Sequence, residues 1–283
     1  MHQEQVMTAR ERHEHTAVSG REHAVESAAA QLHQAWRADQ HCGLLGEDIR
    51  PLDRGEGYAV QAKLAALIGE PTMGWKIAAT SAGGQRHIQV PGPLAGRLFA
   101  ARALSDGATV ALGANAMRVA EAEFAFVMGR DLPRGNADEE PPIDQLFDHV
   151  SALHLAIEIP DSRFTRFTEA GEAQLIADFA CARQFVLGAP VTEDWRSIDL
   201  ASHPLCFRID GEEVAQGWGH FALGDPRKAL QWIARELRTL GLGLRAGEVV
   251  LTGTCVVPVA IAPGQALCAD FGHLGTVGAR TSA

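Results

Sequence analysis

Three glutamates on two apolar segments carry the strongest chemical signal in this 283-residue chain. Residues Arg118 to Met128 alternate in character, the mark of a half-buried strand. Ala122, Phe124, Phe126 and Met128 fall on one face, and Glu121 and Glu123 fall on the other, beside Ala125 and Val127. Two carboxylates two residues apart on a strand sit roughly 7 Å apart on one side. The run Leu153 to Pro160 repeats the device: Leu155, Ile157 and Ile159 share a face and Glu158 points the opposite way. Carboxylates on apolar strands are costly unless something cationic compensates them. A hard divalent cation such as Mg2+ does so through oxygen ligands alone. The competing reading is that these glutamates line the solvent face of an ordinary antiparallel sheet.

Other residues could join such a centre. Lys76 lies in Gly74-Trp75-Lys76-Ile77-Ala78, where strand alternation puts it on a floor of Gly74 and Ala78. An ammonium rising from small residues suits an anionic ligand, although a snorkelling surface lysine has the same pattern. Asp178 is flanked by apolar residues and reads equally as a helix cap or turn former. Leu251-Thr252-Gly253-Thr254 ends an apolar strand in a turn whose N–H groups and hydroxyls can bind carboxylate oxygens; a plain strand end explains it as well. Six of the twelve histidines precede residue 42 in a polar region and make no HExxH spacing. GxGxxG is absent, which argues against a nucleotide cofactor.

These residues need strands and helices to hold them. Hydrophobic residues make up 46% of the chain and charged residues 21%, enough for one large domain or a small N-terminal portion plus a larger domain. The net charge of −10, with no basic stripe, excludes a nucleic-acid binder. No apolar run reaches membrane-spanning length and no signal peptide is seen, so no membrane partner is expected. Five scattered cysteines without a CxxC pair suggest reduced thiols and a cytoplasmic protein. Residues 1–21 read as a polar, disordered tail and 22–72 as a helical portion, with helices over Glu22–Asp39 and Gly55–Ile68 around a Cys42–Asp53 loop. From 73 to 283 short strands dominate: Gly74–Thr80, Arg118–Met128, Leu153–Ile159, Phe185–Leu187, Leu205–Ile209, Val249–Gly253, Val256–Ile261 and the segment after Gly264. A helix is expected from Ile143 to Leu155. The best helix is Pro226 to Leu240, with an Ala229, Leu230, Ile233, Leu237 and Leu240 stripe and glycines to end it.

Gly74-Trp75-Lys76-Ile77, Arg118 to Glu123, Ala156 to Arg163, Ile176-Ala177-Asp178 with Phe185 to Gly188, Leu251 to Thr254, and Tyr58 to Gln61 occur together in one order and spacing. From about residue 30 to 280 the chain resembles the 2-keto-4-pentenoate hydratases of the fumarylacetoacetate hydrolase superfamily. The resemblance implies an α+β fold: a mixed, rolled β-sheet core with peripheral helices and an N-terminal helical portion, in a homo-oligomer. It implies that Glu121, Glu123 and Glu158 bind Mg2+ or Mn2+, and that Lys76 contacts substrate and assists proton transfer, with Asp178 a second catalytic candidate. Cys181, Arg183, Thr252 and Thr254 are the substrate-binding candidates. Where the family often reads Ala-Asp-Asn-Ala-Ser-Ser, this chain reads Ala177-Asp178-Phe179-Ala180-Cys181-Ala182, which puts the substrate rather than the metal site in question. The loop Thr80 to Leu98, with Arg86 and His87, is a further specificity element.

The implied activity is addition of water to a 2-hydroxy-2,4-dienoate, a 2-keto-enoic acid, in breakdown of aromatic compounds. Three other activities compete. A decarboxylase of 2-oxo-3-enedioates would need a cation for the second carboxylate, and Arg86, Arg163 and Arg183 are available. A C–C hydrolase of acylpyruvates or diketones would need a His–Glu pair such as His41 with Glu47. A metal-binding homologue without activity is the non-enzymatic reading.

Overall fold

The computed structural model describes residues 9–136 and 139–283, with side chains from Gly20 onward. Helices α1 (Ala9–Ala38) and α2 (Arg54–Ile68) form the N-terminal portion. Helix α1 reaches well into the segment expected to be a disordered tail; residues 1–8 lie outside the described residues. No proline interrupts this stretch and Ala, Glu and Arg favour helix, which propensity alone explains. Asp53 caps α2, accepting from the Glu56 N–H, and Gly69 closes it in the left-handed conformation, φ +68°.

Thirteen strands follow among the described residues: β1 (Thr72–Ala78), β2 (Leu94–Phe99), β3 (Ala103–Ser105), β4 (Thr109–Ala111), β5 (Val119–Met128), β6 (Val150–Ile159), β7 (Gln184–Pro190), β8 (Pro204–Ile209), β9 (Glu212–Trp218), β10 (Val249–Thr254), β11 (Val259–Ala260), β12 (Ala266–Asp270) and β13 (Thr276–Ser282). Between them lie α3 (Ala82–His87), α4 (Ile143–Phe147), α5 (Gly171–Ala177) and α6 (Pro226–Thr239). One mixed sheet runs β2-β1-β10-β5-β6-β7-β3, with β11 on β5; a second runs β4-β13-β12-β8-β9.

Two further segments depart from the sequence expectation. The helix expected over Ile143–Leu155 stops at Phe147, and Val150 onward is β6. The apolar residues of the run serve both periodicities, and pairing with β5 decides for strand. The strand expected over Val256–Ile261 shrinks to the two residues of β11.

Phe124 and Leu155, paired across β5 and β6, face the second sheet; Phe124 packs on Phe271 at 5.0 Å between ring centroids. The opposite face of the first sheet curls inward. Helix α5 and the turn Phe179–Cys181 close over it at β2. Gly96 permits this approach, because a Cβ there would lie 1.8 Å from the Phe179 carbonyl oxygen.

Candidate active site

The concave face gathers the acidic residues. Glu121 stands directly opposite Glu158 across the β5–β6 ladder, and Glu123 is two residues along the same face. A ligand oxygen from each of the three comes within 4.8 Å of the others. Glu123 and Glu158 are buried, and Glu121 is half-buried. Lys76 comes from β1, with β10 and β5 between it and β6. In a flat sheet three strand spacings would part them by roughly 14 Å, with side chains standing upright. Because the sheet curls, Lys76 Nζ instead lies 3.1 Å from Glu158 Oε1.

Strand β10 supplies a neutral partner. Its register on β5 shifts between Leu251 and Thr254, a bulge that turns the Gly253 N–H onto Glu123 Oε2 at 2.8 Å. Gly253 has φ +99°, and a Cβ would lie 2.4 Å from the Thr80 side chain, so this position requires glycine.

Donors run out there. Glu123 Oε1 and both Glu158 oxygens are buried with no hydrogen-bond donor, leaving Lys76 at ion-pair distance as their compensation. Three carboxylates against one ammonium is an unbalanced set, and the protonation equilibria register it. Burial and then the Glu158 charge push the Glu121 carboxyl up to about 7. Burial pushes Glu123 and Glu158 up as well. Burial alone would lower the Lys76 pKa, but the Glu158 and Glu121 charges outweigh it and hold the ammonium protonated. A dense set of oxygen donors short of cationic charge fits a hard divalent ion.

The structure sorts the remaining sequence candidates. Asp178 is fully buried and paired: it accepts from Ser162 Oγ at 2.7 Å, the Arg163 N–H at 2.8 Å and Arg163 Nε at 2.5 Å. Cys181 follows in a turn of three left-handed residues, Phe179, Ala180 and Cys181, with φ of +52°, +50° and +64°. Left-handed backbone costs about 1–2 kcal/mol per such residue, so neighbours must hold the turn in place. Burial and the Asp178 charge push the Cys181 thiol up to about 12, against the pull of Lys76. The Thr252 hydroxyl donates to the Phe124 carbonyl and the Thr254 hydroxyl to the Val256 carbonyl, both at β-sheet backbone. Arg183 pairs with Asp39 and lies over the Trp36 ring. His41 pairs at 3.2 Å with Asp161 rather than Glu47, whose partner is Arg50. Arg163 is committed to Asp178, and Arg86 is exposed on α3. The Thr252-Gly253-Thr254 turn pointed to the Gly253 N–H on a carboxylate, whereas the Ser162 and Arg163 partners of Asp178 had no sequence signal of pairing.

A curled mixed sheet whose concave face presents three carboxylates and a lysine defines the class. The chain belongs to the fumarylacetoacetate hydrolase family, whose C-terminal domain matches residues 52–281. More particularly, it is 36% identical to a 2-keto-4-pentenoate hydratase of Paraburkholderia phymatum over 91% of this chain and 97% of that one. It is 31% identical to the 2-keto-4-pentenoate hydratase of Paraburkholderia xenovorans over 89% and 93%. Both relatives are named as hydratases. The fold superposes on 4-oxalocrotonate decarboxylase from Pseudomonas putida G7, complexed with magnesium and adipate, with a TM-score of 0.81 over 91% of this chain and 97% of that one, at 23% identity. No helix among the described residues is long and apolar enough to cross a membrane.

Proposed function

We propose that the protein is a divalent-metal-dependent hydratase of 2-hydroxy-2,4-dienoates, acting in the breakdown of aromatic compounds. The observation that carries this reading is the trio of carboxylates within 4.8 Å, two of them buried, short of donors and beside Lys76. Glu121, Glu123 and Glu158 would hold Mg2+ or Mn2+. When bound, the ion supplies Lewis-acid stabilisation of enolate charge on the 2-oxo acid.

The chain's own groups handle position and protons. Lys76 keeps a proton on Nζ beside Glu158 and is placed to recognise the substrate carboxylate or to deliver a proton to the dienol at C5. That transfer gives the 2-oxo-3-enoate; water then adds at C4 and C3 is protonated, giving a 4-hydroxy-2-oxo acid. The Gly253 N–H steadies Glu123. Cys181 stands in the wall next to Lys76 as a substrate contact that donates hydrogen bonds weakly.

The decarboxylase reading needs a cation for a second carboxylate. Among the described residues the ion-pair partner of the glutamates is Lys76 and no arginine joins it there, and this favours the hydratase. Assembly as a homo-oligomer in the cytoplasm belongs to the same proposal. The test is a spectrophotometric assay with 2-hydroxypenta-2,4-dienoate, with and without Mg2+, with product mass determined. Metal-dependent loss of the dienol and gain of one water is expected. Loss of CO2 from an enedioate with no hydration of the dienoate would overturn the reading.

A further inference from the structure

Away from the glutamates, three guanidinium groups converge on one indole. The Cζ atoms of Arg102, Arg163 and Arg183 lie 5.1, 5.0 and 5.7 Å from the Trp36 ring. Trp36 is nearly buried at the end of α1 and packs edge-on against Phe179 and at a tilt against Phe99. Two of the cations have a carboxylate: Arg163 has buried Asp178, and Arg183 has exposed Asp39. Arg102 makes no ion pair among the described residues, and its Nε is buried without a hydrogen-bond partner. Arg163, itself 2% exposed, leaves Nη1 buried without a partner as well.

Three like charges around one ring repel unless something negative lies among them. Trp36 offsets part of this by cation–π attraction, on the order of 0.5–2 kcal/mol per pair. A second possible role, serving the C-terminal carbonyls of α1, leaves no trace. The arginine donors go to Asp178, Asp39 and the carbonyls of Asp161 and Ala182, with none to the end of the helix among the described residues. What remains is Arg102 without an ion-pair partner among the described residues, and buried N–H groups of Arg102 and Arg163 without acceptors, close to the exposed Asp39 that Arg183 holds.

We propose that Arg102, Arg163 and Arg183 form a binding site for a small oxyanion, a carboxylate or a phosphate, distinct from the glutamate centre. Planar guanidinium donors match both ligand types. The site adjoins the active-site wall through Arg163, which clamps Asp178, and through Arg183, two residues beyond Cys181.

The test is calorimetric titration of the full-length, Mg2+-loaded protein with inorganic phosphate and, separately, with succinate, at ionic strength held constant with NaCl. Saturable binding of one of them is expected, and which one binds tells phosphate from carboxylate. Arg102→Gln should weaken it about tenfold or more while hydratase turnover stays unchanged, as expected for loss of charged hydrogen bonds. Arg102→Lys keeps the charge and should retain part of the binding, which guards against misfolding of the first variant. Glu123→Gln separates the two sites, since an oxyanion held at the glutamate centre would be lost there and one held by the arginines would stay. No saturable binding, binding that Arg102→Gln leaves intact, or binding lost in Glu123→Gln would overturn the proposal. So would a shift of Arg102→Gln to a smaller assembly on size exclusion, which would give the surplus charge to an acidic side chain of a second copy.

Discussion

Two buried acidic sites sit on neighbouring elements of this molecule and are built on opposite principles. Asp178 is met by a guanidinium, a hydroxyl and a backbone N–H, so its charge is matched inside the protein. Glu121, Glu123 and Glu158 share one ammonium and one backbone N–H, so theirs is not. A matched carboxylate fixes structure: it ties the Ser162–Arg163 segment after β6 to the strained turn that carries Cys181. An unmatched set instead is one that a cation from outside the chain would complete. Asp178, Glu123 and Glu158 are alike in burial, and it is the supply of donors that separates the two sites.

The sharpest test of the chemical side is Lys76. Lys76→Met should reduce turnover by about 10²–10⁴-fold, the range for a lost proton-transfer group, while Mg2+ affinity measured by calorimetry survives. Full activity in that variant would remove Lys76 from the mechanism.

The contrast itself is tested by making one chemical change at both sites. Asp178→Asn should destabilise the protein by about 3–5 kcal/mol in denaturant titration, because Arg163 is left buried without its counter-charge. Glu123→Gln should stabilise the metal-free protein by roughly 1 kcal/mol near pH 8, since it removes an uncompensated charge, and should abolish the stabilisation by Mg2+. Equal signs for the two substitutions would break the comparison.

The pH dependence follows from the same imbalance. Glu121 binds its proton more tightly in the folded protein, up to about 7, than in the unfolded chain near its ordinary carboxylate value. Protonation therefore favours the fold: the contribution is complete below the unfolded value and is lost as pH rises through about 7. In chelator the melting temperature should fall between pH 5 and pH 8 more steeply than in Glu121→Gln. Added Mg2+ should raise it most at the alkaline end, where no proton competes for the carboxylates. The smallest effect is expected at Thr252. Thr252→Val should cost about 1 kcal/mol of stability for the lost bond to the Phe124 carbonyl and leave KM unchanged.

Much of the carboxylate cluster was legible because strand alternation is a local property. The alternation of residues 118–128 and the reversed placement of Glu158 assign faces without any knowledge of partners, and β5 and β6 reproduce both. What alternation cannot express is register. Thr252 and Thr254 read as ligands to substrate, but the bulge in β10 sends the Gly253 N–H to Glu123 and leaves both hydroxyls on backbone carbonyls. Asp178 read as a cap or a catalyst because its partner, Arg163, is brought to it only by tertiary packing. His41 was paired with Glu47 in the sequence, and the fold gives it Asp161, far along the chain. The helix expected over Ile143–Leu155 failed for the same reason, since only a neighbouring strand distinguishes the two periodicities there.

The position of β1 governs when the protein can first act. Lys76 is made early in translation, yet its strand pairs in parallel with β10, so Lys76 is seated beside Leu251 near the far end of the chain. The same late strand supplies the N–H that steadies Glu123. A nascent chain still short of β10 thus holds all three glutamates and the lysine but cannot bring them together. On the proposed function, acquisition of the metal is an event of the finished polypeptide, and a truncation before Val249 should scatter the cluster while sparing all three glutamates and Lys76.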